Sequence, residues 1–335
     1  PYHDFKGFYG QYSVNPYYIL DKQVVRNNVD NVISSVNVNY MPIEHLTLSG
    51  QASTNFSISG VTENNPKFFY ERTLSWSDGV LSDFNSPRNS TSLGGYKELT
   101  DRRTDLVFDL KARYDAKINN DFTFTPTIGF NSIQEQFRQV AGQTVGGLVI
   151  PEFYDLSNSV ENPLARNESY LYRLFGVYAN ASLGFKNFLF AEYSARNDWS
   201  STLPKTKRDF FYQGGGLSFV PTNMENFDVN PISFLKLRAS IGTAGKDAPR
   251  YRLNSNYVLN PLILDYGDDY QVRFPFNGNP GASKSTIIGN PDLKPEESVS
   301  YELGFDQQLN TGLQVYGSVY QTKIDNLQVS SAKTG

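Results

Sequence analysis

The chain has 335 residues, no cysteine, and 30 basic residues against 34 acidic ones, for a net charge of -4 and a pI near 5.4. Without cysteine there are no disulfides, thiolate metal sites or cysteine nucleophiles, and the acidic balance is not the footprint of a nucleic-acid binder. Aromatics stand out, with 22 Tyr and 24 Phe, and no window approaches the ~18 apolar residues of a transmembrane helix.

The chain opens on PYHDFKGFYG, which has neither the charged nor the apolar region of a signal peptide. A first alternating stretch covers roughly 29–40 and ends at the short turn MPIE, 41–44. In HLTLSGQASTNF, Leu46, Leu48, Gly50, Ala52, Thr54 and Phe56 alternate with Thr47, Ser49, Gln51, Ser53 and Asn55, the period of a two-faced strand. A long connection is expected over 57–103. Next, TDLVFDLKARYD sets Leu106, Phe108, Leu110, Ala112 and Tyr114 against Asp105, Asp109, Lys111 and Arg113. After the turn AKINN, 116–120, DFTFTPTIGFN sets Phe122, Phe124, Ile128 and Phe130 against Thr123, Thr125, Thr127 and Asn131.

A second long connection is expected over 134–168, followed by strands near 170–185 and 188–198 joined by the turn KN, 186–187. A shorter connection, 199–208, leads to a strand near 209–220. The segment Pro221 to Pro231, with room for one turn of helix in PTNMENFDVN, leads to 233–243. The third long connection, 246–297, precedes strands near 298–309 and 313–325, joined by the turn NT, 310–311. About ten strands and no convincing helical period make the chain all-β.

Alternation suits both a soluble sandwich, which buries its apolar face, and a membrane barrel, which turns that face to lipid. Runs of ~10–13 residues exceed the ~5–6 of ordinary strands and match the ~9–11 that cross a bilayer at a tilt. Short turns alternating with long connections favour a barrel with short periplasmic turns and long extracellular loops. Tyr40, Tyr114, Phe122, Phe185, Phe188, Phe219 and Phe234 gather beside the short turns, where an aromatic girdle would lie. A mean hydropathy of -0.45 fits such a barrel, because only alternate strand residues meet lipid.

The segment GNPDLKPEESVSYELGFD, 289–306, resembles a signature of the SusC-like (RagA-like) TonB-dependent outer-membrane receptors. NPYYIL (15–20), ARNDWSSTLP (195–204) and FLKLRASIGTAG (234–245) are similar to the same family and follow in its order. The resemblance implies an internal part of a 22-stranded barrel, with plug, TonB box and C-terminal strands outside this sequence. It also implies an outer-membrane importer of oligosaccharides or peptides in a Gram-negative bacterium, and no cofactor. Its partners would be a SusD-like surface lipoprotein and the TonB-ExbB-ExbD energising complex. Two other readings stand beside it: an accessory subunit of an outer-membrane assembly, and a small barrel enzyme.

In Asn290, Pro291, Asp292, Leu293, Lys294, Pro295 and Glu296, the two prolines fix φ and remove two backbone donors. The segment therefore delivers a stiffened loop into the strand that follows, an architectural role, with Glu296 and Glu297 expected to face water. No catalytic constellation is visible: the chain has two histidines, His3 and His45, the latter beside a short turn. Asp265, Asp268 and Asp269 offer oxygen ligands for Ca²⁺ without the spacing of a calcium loop. The glycines at 214–216 lack the Lys-Ser/Thr of a phosphate cradle and suggest a bend or a close backbone approach. Candidate substrate contacts are Phe68, Phe69, Tyr70, Arg72 and Trp76, with Arg196, Asp198 and Trp199 at a strand's outer end. Lumen-facing positions would include Asp105, Asp109, Lys111 and Arg113.

Overall fold

A computed structural model describes residues 16–69, 74–77, 80–83, 91–225, 227, 229–259, 264–265, 271–272, 279–284 and 288–329. Ten long strands form one sheet: β1 (Val24–Ile43), β2 (Leu46–Phe69), β3 (Thr91–Tyr114), β4 (Phe122–Leu148), β5 (Ser159–Phe185), β6 (Leu189–Ser200), β7 (Asp209–Phe219), β8 (Ile232–Lys246), β9 (Glu296–Leu309) and β10 (Gln314–Asp325). They are hydrogen-bonded in chain order, with the two-residue strand Ala116–Lys117 against β4, and the path does not close on itself. The registers from β5 to β10 are antiparallel throughout. Two-stranded ribbons pair Leu74–Ser77 with Val80–Asp83, and Tyr257–Leu259 with Ala282–Lys284.

The short connections sit where expected, and three of them use left-handed backbone. His45, Lys186, Asn187 and Gly312 have φ of 69°, 47°, 59° and 86°, as tight strand-to-strand turns demand. Beside them, Phe122 and Phe185 lie 4.6 Å apart, Phe185 and Phe188 5.3 Å, and Phe188 and Phe219 6.2 Å, so the expected aromatics form a chain of ring contacts.

The expected long connections are corrected at two places. β2 continues to Phe69 and β3 begins at Thr91, so 57–103 shrinks to the stretch between them; 134–168 likewise shrinks to 149–158. In these extensions both faces are polar, as in Thr62-Glu63-Asn64-Asn65 and Thr100-Asp101-Arg102-Arg103. Backbone ladders and a few local contacts, such as Phe137 stacked on Tyr170, carry the strands there, and no alternation betrays them. The third, 246–297, keeps nearly its expected extent, between β8 and β9. The seven-residue helix α1, Pro16–Lys22, was not expected, because two turns are too short to show a period. In PTNMENFDVN, Pro221–Asn223 form one 3-10 turn.

The chain divides into two compact units. The first holds Pro1–Ser34, Ser53–Leu106 and Glu135–Leu171. Its core contains Tyr18 of α1, edge-on to Phe68 at 5.4 Å, and the fully buried Leu148. Lys22 pairs with Glu152 at 3.2 Å. Gly147, with φ of 99°, lies so close to Leu93 that no side chain fits. The second unit holds Ser35–Ala52, Val107–Gln134 and Tyr172–Gly335, with a core of Leu203, Phe210 and Ala248.

In the second unit the apolar phase of each strand has no cover. Leu110, Ile128, Leu217 and Leu303 keep 57 to 67% of their surface exposed. A sandwich would bury these positions against a second sheet, whereas a contiguous exposed apolar face on bilayer-length strands belongs against lipid.

Candidate functional site

The opposite, polar face carries the candidate site, and strand register assembles it. Tyr178 of β5, Arg196 of β6 and Tyr212 of β7 stand in one row across three strands, and Gly176, Asp198 and Phe210 form the next. The Arg196 Nε donates to Asp198 Oδ1 at 2.7 Å, and the Tyr212 hydroxyl donates to Oδ2 at 2.6 Å. The Arg196 guanidinium lies 5.8 Å from the Tyr178 ring centre and reaches Asn131 Oδ1 at 3.5 Å. The Tyr178 hydroxyl donates to Asp109 at 3.2 Å. Hydrogen bonds and one cation–π contact thus join β3, β4, β5, β6 and β7. This network passes over two glycines: a Cβ on Gly129 would collide with the Tyr178 ring, and one on Gly176 with Asp198 Oδ1.

A second ionic group joins β8 to β9. Arg238 donates through one terminal nitrogen to both oxygens of Asp306, at 3.0 and 3.2 Å, and lies 3.4 Å from Glu302 through the other. Gly304, opposite Arg238 in the register, leaves room for the guanidinium, since a Cβ there would sit 2.6 Å from Nε.

At the ends of β6 and β8 a third group closes over the core. One oxygen of Asp247 accepts from Tyr172 at 2.9 Å, from Thr202 at 3.1 Å, and from Ser200. Below it, Leu203, Phe210 and Ala248 pack with Leu174, Tyr212 and Leu293. Leu293 brings the NPDLKPE segment into this core. The Asn290 N–H bonds the Arg252 carbonyl at 2.8 Å, the Asn290 side chain accepts from the Asp292 N–H at 2.9 Å, and Pro295 is buried. Glu296 corrects the expectation that it faces water. It opens β9 on the polar face opposite Lys246, 3.7 Å away, and accepts the Gln328 N–H at 2.8 Å. Its side chain is 15% exposed. Glu297, one residue on and therefore on the other face, is exposed.

The structure divides the substrate candidates. Phe68 is 9% exposed and belongs to a core. Tyr70 and Arg72 lie outside the described residues, as do the side chains of Phe69 and Trp76. Arg196 and Asp198 are brought together, but Asp198 is 3% exposed with both oxygens engaged, so it orients its neighbours. Trp199 falls on the apolar face, stacked on Phe175 at 5.3 Å. Sequence reasoning missed Tyr178, Tyr212, Arg238, Glu302, Asp306 and Asp247. Alternation signals which of them share a face, but only register says which of them touch.

Of the remaining candidates, Asp109 joins the network, and Arg113 pairs with Asp115 at 2.8 Å. Gly214 lies opposite Gly242, where a Cβ would come 3.3 Å from backbone, so the glycine run marks a close backbone approach. His45 is a turn residue 3.4 Å from Glu44. His3, Asp268, Asp269 and the Asp265 side chain lie outside the described residues. Among the described residues no group of three or more His, Cys, Asp or Glu is placed to hold a metal.

Outside the sheet's apolar band, Asp155 caps the 3-10 turn Leu156–Asn158. It accepts from the Ser157 hydroxyl at 2.6 Å and N–H at 2.8 Å, which hold its pKa below the ordinary value.

The family model described as TonB dependent receptor-like, beta-barrel matches residues 59–335. Among solved structures, the RagAB peptide importer in its closed-closed state matches with 22% identity and a TM-score of 0.72, over 93% of this chain and 32% of that one. The RagAB peptide transporter matches with 21% identity and a TM-score of 0.75 over the same shares, 93% and 32%. This chain therefore spans about a third of their length. No curated protein matches it.

Proposed function

The chain belongs to the TonB dependent receptor-like β-barrel family, and from that membership we propose that it is part of the wall of an outer-membrane importer of the SusC-like type. The observation that carries this is the pairing of an uncovered apolar face with a cross-braced polar face on the same strands. Lipid takes the first, and a lumen takes the second. The unclosed path of the sheet supports a larger barrel, completed by strands outside this sequence, since open edges are not tolerated in hydrocarbon.

In this reading the wall does no covalent chemistry. A plug and TonB box outside the sequence couple the barrel to TonB-ExbB-ExbD, and a SusD-like lipoprotein delivers substrate at the outer end. Phe69, Tyr70, Arg72 and Trp76, the aromatic and basic candidates read from the sequence for that end, are assigned to contact with either substrate or the lipoprotein. Arg196 presents the polar face to the lumen, with Asp198 holding it. The fold shared with a peptide importer supports peptides; oligosaccharides are the other class the resemblance allows.

The test is uptake in cells with and without the gene, using labelled peptide and labelled oligosaccharide. Loss of one uptake activity, with the residual wild-type activity abolished by an uncoupler, is the expected result. Unchanged uptake of both classes, with the protein shown in the outer membrane, would overturn the importer in favour of an accessory subunit.

A further inference from the structure

The segments 201–208, 246–255 and 288–297 meet at one corner of the second unit. Leu203, Ala248 and Leu293 share the core beneath it, Lys207 pairs with Asp292 at 3.4 Å, and Asn290 is bonded to Arg252. Together these segments hold seven basic residues against four acidic ones, on a chain whose overall charge is -4. The excess is thus local, and the pairing within the corner sharpens it. Asp247 is satisfied by three hydroxyls, Asp292 faces Lys207, and Glu296 faces Lys246 and a backbone N–H, while Glu297 lies on the other face of β9. The side chains of Lys205, Arg208, Arg252 and Lys294 have no partner among the described residues, and Lys205, Arg208 and Lys294 are exposed.

Unpaired cations held on a rigid core, with Asp247, Asp292 and Glu296 engaged and, among the described residues, only the exposed Asp209 and Glu297 left to oppose them, make a fixed positive field. Such a field raises the encounter rate of anions by 10- to 1,000-fold, within a range set by salt. We propose that this corner is a capture surface for a solute bearing several carboxylates, either an acidic peptide or a uronic-acid oligomer. The inference rests on the importer reading, in which the long connections face outward, and it narrows the substrate class.

The experiment measures association of four probes with the purified protein in detergent: an oligo-aspartate peptide, a uronic-acid oligomer, and an uncharged counterpart of each. Both acidic probes are expected to associate about tenfold faster at ~0.01 M than at ~0.5 M salt, and the uncharged ones at one rate throughout. Tighter final binding of one acidic probe identifies the source of the carboxylates. Lys205→Gln with Arg208→Gln, both on the exposed turn, removes most of the salt dependence, and adding Arg252→Gln and Lys294→Gln removes the rest. Lys205→Arg with Lys294→Arg retains it. Equal rates for acidic and uncharged probes at low salt would overturn the proposal. Gene-dependent uptake of uncharged oligomers with no acidic preference would overturn it too, while leaving the importer standing.

Discussion

Strands β2 to β5 run for 24, 24, 27 and 27 residues, whereas β6 to β10 run for 11 to 15. The short set ends close to where its apolar alternation ends. The long set continues through stretches in which both faces are polar, and there the strand is held by its backbone ladder and by local contacts such as the Tyr18–Phe68 pair. Two physical regimes therefore share a secondary structure. Where one face meets lipid, side-chain chemistry is dictated position by position; where both meet polar surroundings, it is free to drift.

The largest predicted effect lies in the first regime. Asp198→Ala leaves the Arg196 guanidinium unpaired on a largely buried site and should cost about 3–5 kcal/mol, read as a lower denaturant midpoint for the barrel refolded in lipid. Removal of Arg196 together with Asp198 should cost less than the sum of the single changes; strict additivity would show that the two act separately.

Next comes a charge on the apolar face. Ile241→Arg, at an uncovered position of β8, should cost about 2–4 kcal/mol if it lies near the bilayer midplane. Val140→Arg, on the β4 extension, should stay within about 0.5 kcal/mol. Equal costs at the two sites would abolish the distinction between the regimes.

Glycines give a smaller version of the same contrast. Gly176→Ala drives a methyl into the Asp198 carboxylate and should destabilise by roughly 1–3 kcal/mol. Gly60→Ala, with nothing within 4 Å, should be near neutral or slightly stabilising by the same denaturant assay.

The smallest effect concerns Asp155. Its pKa is lowered in the folded state from an ordinary 3.8. Its contribution is therefore present above that value and lost as pH falls through the lower, folded-state pKa. Hydrogen exchange at the Ser157 amide should accelerate in that acid window, and Asp155→Asn should remove the pH dependence.

Legibility in the sequence followed the same division. The strands of the lipid-facing region and the tight turns at 186–187 and 310–311 were readable because alternation and turn chemistry are local. The extensions of β2 to β5 read as loops, since a strand polar on both sides has no period to find. Arg196 and Asp198, named as candidate substrate contacts, sit two residues apart and so share a face, and the structure places them in contact. Trp199 was grouped with them by adjacency, which in a strand places a residue on the opposite face.

The sequence by itself determined the all-β class, the number of long strands, the lipid-facing phase and the family signature, because each depends on spacing within a short window. Only the tertiary structure decided that Tyr178 reaches Asp109, that Tyr212 completes the shell of Asp198, and that Leu293 turns the signature into part of a core. Those contacts depend on register between strands, and register is set by the packed sheet as a whole.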